Sequence, residues 1–70
     1  MEDYLLTVKD VSKRLKTTPH YVYKLIDNGL LIGLKLGSLK VRNKEVERFL
    51  EAMHGKDVNV LIGGEISETN

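Results

Sequence analysis

The chain has no cysteine and no tryptophan, and only one proline and one phenylalanine among its 70 residues. Without cysteine, neither a disulfide nor a thiolate metal site can staple the fold, and the absence fits a reducing compartment. A chain this short hides only about 60–65% of the surface its unfolded form exposes, so its core is small and unassisted. Long apolar runs are missing too. The longest lies near Leu30–Leu36 and is broken by Gly33 and Lys35, far below the ~20 residues of a membrane span. The opening stretch MEDYLLTVKD is acidic, where a secretory leader is basic. The expectation is one soluble, cytoplasmic domain.

Catalytic constellations are equally scarce. Ser12, Ser38 and Ser67 lie in unrelated local settings, and the two histidines, His20 and His54, fall on different expected helices. His54 has no second ligand beside it. Gly63-Gly64 is too short to be a phosphate loop. No catalytic residue, metal, cofactor or small-molecule ligand is expected.

What is present is a segregated charge. The net charge is only +1, but residues 9–44 hold nine basic residues against two acids, Asp10 and Asp27, a local charge of +7. The other acids gather towards the two ends. A cationic middle suits a polyanion, although solvated lysines kept for solubility would give the same count.

The local signals divide the chain. Thr7 can cap a first helix, with Asp10 closing a capping box; Val8, Val11 and Leu15 form its apolar face, and it should fade near Lys16–Thr17. Thr18 caps a second helix that opens on Pro19, where a missing N–H costs nothing. That helix runs to about Asn28, and Gly29 supplies the left-handed residue that ends it. A link of about two residues forces the two helices to cross steeply. Residues 31–36 and 39–42 read as a β-hairpin with a two-residue Gly37-Ser38 turn, and Gly33 marks a bend or a close approach. Asn43 caps a third helix, whose inner face is Val46, Phe49, Leu50 and Met53. Glu45, Glu47, Arg48 and Glu51 face water. Residues 1–55 thus form the domain and 56–70 a tail. Val58–Ile62 is a candidate strand, for a partner's sheet edge or for the domain itself, and Glu65–Asn70 is expected to fray.

Helix two carries the functional signal. Val22, Leu25, Ile26 and Gly29 share an inward face, which leaves His20, Lys24 and Asp27 opposite. Its first turn offers Thr18, His20, Tyr21 and Lys24 as groups able to meet base edges in a major groove, and its free amides suit a phosphate. Tyr21 reads as the more exposed tyrosine. Tyr23 reads as half-buried packing whose hydroxyl can still reach a phosphate. Lys13, Arg14, Lys24, Lys35, Lys40 and Arg42 are the candidate phosphate contacts, with a salt bridge to Glu45 or Glu47 as the alternative role for Arg42.

Three segments, in order, resemble one family. Leu6–Leu15, Pro19–Leu30 and Arg42–Leu50 are similar to the opening helix, recognition segment and closing helix of excisionase-type DNA-binding proteins, relatives of the MerR domain. The resemblance implies a mainly α, winged helix-turn-helix with three helices and a β-hairpin wing. It places helix two in the major groove and the wing, with Lys35, Ser38, Lys40 and Arg42, along the backbone or minor groove. The family often carries arginines just after the turn glycine. Ser38 and Leu39 stand there in this chain, so Lys40 and Arg42 are expected to meet phosphates only. The expected function is sequence-specific binding of double-stranded DNA, as an excisionase of a mobile element acting beside a recombinase or further copies of itself at the nucleoid. A compact transcription regulator is the alternative, and an adaptor or anti-repressor that does not bind DNA is the reading from another class.

Overall fold

A computed structural model describes residues 2–63. The elements in chain order are β1 (Leu5–Thr7), α1 (Val8–Arg14), α2 (Pro19–Asp27), β2 (Leu34–Leu36), β3 (Ser38–Arg42), α3 (Asn43–Met53) and α4 (Val58–Leu61). The three strands form one antiparallel sheet in the order β1-β3-β2. The core is Val8, Val11, Val22, Leu25, Leu31, Val41, Val46, Phe49 and Ile62, drawn from α1, α2, the α2–β2 connection, β3, α3 and the end of α4. No described helix is long and apolar enough to cross a membrane.

The helix-turn-helix forms as the local signals dictate. Thr7 Oγ1 accepts the Asp10 N–H at 3.0 Å, and Asp10 Oδ2 accepts the Thr7 N–H at 3.1 Å, so the capping box is complete with aspartate. α1 ends in a Schellman turn: the Thr17 N–H reaches the Ser12 carbonyl and the Lys16 N–H the Lys13 carbonyl. That turn needs a left-handed residue, and Lys16 supplies it at φ 56°. A side chain there is strained by roughly 1 kcal/mol relative to glycine. α2 ends in the same device with the expected residue: Gly29 at φ 75°, and the Leu30 N–H on the Leu25 carbonyl at 3.0 Å.

The hairpin is tighter than expected. Leu36 stands opposite Ser38, so Ser38 belongs to β3 and Gly37 alone, at φ 78°, forms the tip. Gly33 is the anticipated close approach. A Cβ there would lie 3.0 Å from Leu39 Cδ1 and 3.5 Å from Ile26 Cδ1. β1 is an element the sequence did not reveal; it adds to the far edge of β3 with Leu6 opposite Val41.

Four expectations about α3 and the tail are corrected. Asn43 is the first helical residue and not the cap; Arg42 takes the cap position without a side-chain bond. The cap comes from a distant segment instead. Asp3 Oδ1 accepts the Lys44 N–H at 2.9 Å, and the Tyr4 carbonyl accepts the Asn43 N–H at 2.8 Å. Glu45 does not face water. Its carboxylate accepts the Ile32 N–H at 2.9 Å and both Arg48 Nε and Nη2, while Arg48 also donates to the Leu30 carbonyl, so this pair ties the α2–β2 connection to α3. Leu50, expected inside, is 46% exposed. The candidate strand at 58–62 is helical: Asp57 caps α4, and Ile62 enters the core at 7% exposure. The expected fraying of Glu65–Asn70 lies outside the described residues.

Candidate nucleic-acid interface

The first turn of α2 is held by its own cap. Thr18 Oγ1 accepts the Tyr21 N–H at 3.2 Å and the Thr18 carbonyl accepts the Val22 N–H at 3.1 Å. Pro19 has no N–H to give. The Thr18 and His20 amides lack an acceptor among the described residues, so the amide cluster expected to suit a phosphate consists of two donors. Val22 and Leu25 are buried beneath this turn, and Ile26 packs against the core. Thr18, His20, Tyr23 and Asp27 are exposed above it, with Lys24 half-buried among them.

The two tyrosines exchange their expected places. Tyr23 is 48% exposed and is available to a ligand through its ring and hydroxyl. Tyr21 is half-buried against the core, and its hydroxyl donates to Asn59 Oδ1 at 2.6 Å. The helical spacing left both on flanks of α2; what distinguishes them is α4, whose Asn59 holds the partly exposed Tyr21 hydroxyl at the surface. Burial, with the Asp57 carboxylate nearby, raises the Tyr21 phenol above its usual pKa.

Arginine and lysine take different parts. All three arginines are engaged within the molecule. Arg14 donates to Asn43 Oδ1 and lies 3.9 Å from Glu47. Arg42 pairs with Asp3 at 2.7 Å, in place of the expected Glu45 or Glu47, and Arg48 pairs with Glu45 at 2.6 Å. Lys9, Lys13, Lys16, Lys24, Lys35 and Lys44 have no carboxylate partner within 4.0 Å among the described residues. Lys40 donates to Ser38 Oγ at 2.5 Å. Lys9 and Lys16 were not singled out from the sequence. Their signal was there in the two lysines flanking the α1 charges, but only the left-handed turn at Lys16 places it beside the helix-turn-helix corner.

The hairpin splits its cations between two faces. Directly opposed residues in an antiparallel pair share a face. Lys35 opposes Leu39, which lies over Gly33 beside Ile26 of α2. Lys40 opposes Leu34 and Thr7, and Arg42 opposes Leu5, on the outer face. Lys35 therefore shares the α2 side of the sheet, whereas Lys40 and Arg42 stand on the side facing away, among the exposed Leu5 and Leu36.

The arrangement offers one exposed, capped helix turn with hydroxyl and imidazole groups, flanked by lysines that carry no counter-ion among the described residues. A family profile described as helix-turn-helix domain matches residues 5–54, which span β1 to the end of α3. No curated protein and no solved structure matches the chain.

Proposed function

This chain belongs to the helix-turn-helix domain family, and from that premise we propose that it is a small sequence-specific double-stranded DNA-binding protein of the winged, excisionase type, a binding protein and not an enzyme. The observation that carries the reading is the exposed first turn of α2, with Thr18, His20, Tyr23 and Lys24 presented beside lysines that have no acid partner among the described residues. α2 enters the major groove, and the β2–β3 hairpin serves as the wing, with Lys35 as its cation on the α2 side. Lys13, Lys16, Lys24 and Lys35 neutralise phosphates. Lys40 and Arg42, on the outer face, and Arg14, held by Asn43 and Glu47, contribute less.

The absence of a free arginine has a consequence for specificity. Arginine is the side chain that reads guanine through two hydrogen bonds, and α2 contains none. Thr18, His20 and Tyr23 offer single hydrogen bonds, so one copy binds with modest discrimination. Useful occupancy then requires neighbouring copies or a recombinase partner, which favours an excision role over a lone transcription regulator. The reading is tested by duplex binding across a salt series. With about four phosphates neutralised, log affinity falls against log salt with a slope of about −3 to −4. A slope near zero, or no binding to any duplex, leaves the adaptor reading in its place.

A further inference from the structure

α4 begins beyond the matched residues 5–54, yet it reaches back to the recognition helix. Asn59 Oδ1 accepts the Tyr21 hydroxyl proton at 2.6 Å across 38 positions of sequence. The position of Asn59 is itself fixed. Its N–H is bound by the Asp57 carboxylate at 3.1 Å, and Val58 and Ile62 on either side of it pack into the core. Tyr21 packs against the core and lines an apolar depression together with Leu15, Leu25 and Val58.

A phenol carries one proton. While that proton rests on Asn59, the Tyr21 oxygen can only accept. The groups that a duplex presents divide on this point. Phosphate oxygens, guanine O6 and N7 and thymine O4 accept; the amino groups of cytosine and adenine donate. We propose that Asn59 is a positioning residue for DNA recognition: by taking the phenol proton it fixes Tyr21 as an acceptor that selects a cytosine or adenine amino group in the major groove and not a phosphate. The inference rests on the DNA-binding reading above and names a class of base edge for it. Burial and Asp57 both favour the protonated phenol, which keeps the bond to Asn59 intact at neutral pH. The recognition surface thus extends past the family domain to Asn59 of α4.

The test is binding-site selection from a randomised duplex pool with the wild-type chain, Tyr21→Phe, Asn59→Ala, Asn59→Asp and the Tyr21→Phe/Asn59→Ala double variant, all held below their melting temperatures. The wild type selects adenine or cytosine at one position of its site. Tyr21→Phe loses that preference by about tenfold. Asn59→Ala admits guanine or thymine at the same position, because the released hydroxyl can now donate, and Asn59→Asp retains the wild-type choice. The double variant behaves as Tyr21→Phe alone. Unchanged preferences in Asn59→Ala, or an equal loss of affinity on every sequence, overturn the inference while leaving DNA binding in place. A wild type that binds no duplex overturns both.

Discussion

At the scale of single residues, a few side chains hold geometry that no local pattern announces. Asp3 gathers the Lys44 and Tyr4 amides and the Arg42 guanidinium. Partial desolvation raises its pKa, but these hydrogen bonds outweigh it and leave the group below the usual aspartate value. Asp3→Asn keeps the shape and weakens all three contacts, so it is expected to lower the melting temperature at neutral pH and to flatten its fall in acid. Lys16 is the second such residue. Its left-handed conformation predicts that Lys16→Gly stabilises the fold by about 0.5–1 kcal/mol while weakening duplex binding through loss of the proposed phosphate contact; thermal melts and a binding titration on the same sample separate the two effects. Lys24→Ala is expected to weaken binding to all duplexes alike and to reduce the salt slope by about one. His20→Ala should change the preferred sequence more than the overall affinity.

At the scale of elements, Ile62→Ala tests whether α4 belongs to the core. Removing most of a side chain that is 7% exposed costs about 2 kcal/mol or more, read from denaturant unfolding; a strand hanging free of the domain would lose almost nothing. The same element explains where the sequence misleads. Val58, Val60 and Ile62 are β-branched residues in alternation, which is the pattern of a strand. In the fold Val58 and Ile62 are inside at helical i, i+4 spacing, while Val60 is 55% exposed, and the Asp57 cap agrees with the helix. Four residues were too few for period alone to decide. β1 was invisible for a related reason: three residues with one inward side chain, Leu6, exist as a strand only because β3 pairs with them across 35 positions. Asn43 looked like a cap because it is the right residue type at the right place, but Asp3 occupies that role from 41 residues away. By contrast, α1, α2, their caps and the Gly29 stop were legible because each depends on partners within a few residues. At the interface, the exposure of Thr18 and His20 followed from helical phase, whereas the engagement of Tyr21 and of every arginine depended on contacts that only the folded chain creates.

At the scale of the whole molecule, electrostatics sets the acid stability and the cationic surface. Asp3, Asp10 and Glu45 all have depressed pKa values, Asp10 through the Thr7 amide and Glu45 through the Arg48 guanidinium. A depressed carboxyl contributes stability above its unfolded pKa, about 4, and loses it as pH falls through the folded value. The melting temperature should therefore be flat from neutral pH down to about 5 and fall steadily below about 4, as thermal melts at stepped pH would record. Above that range the acids stay with their arginines, and the lysines are left to the solvent and to any polyanion that approaches. The cationic middle of the chain thus sorts itself in the fold: arginine builds the domain and lysine faces outward. The central claim is that the N-terminal turn of α2, with its flanking lysines, is the surface that meets DNA. The most direct measurement is a titration of the 15N-labelled chain with duplex DNA at low salt. The amides of Thr18, His20, Tyr23, Lys24 and Lys35 are predicted to shift together, and to return as salt is raised; shifts confined to the outer sheet face around Leu5 and Arg42, or to no residues at all, would contradict it.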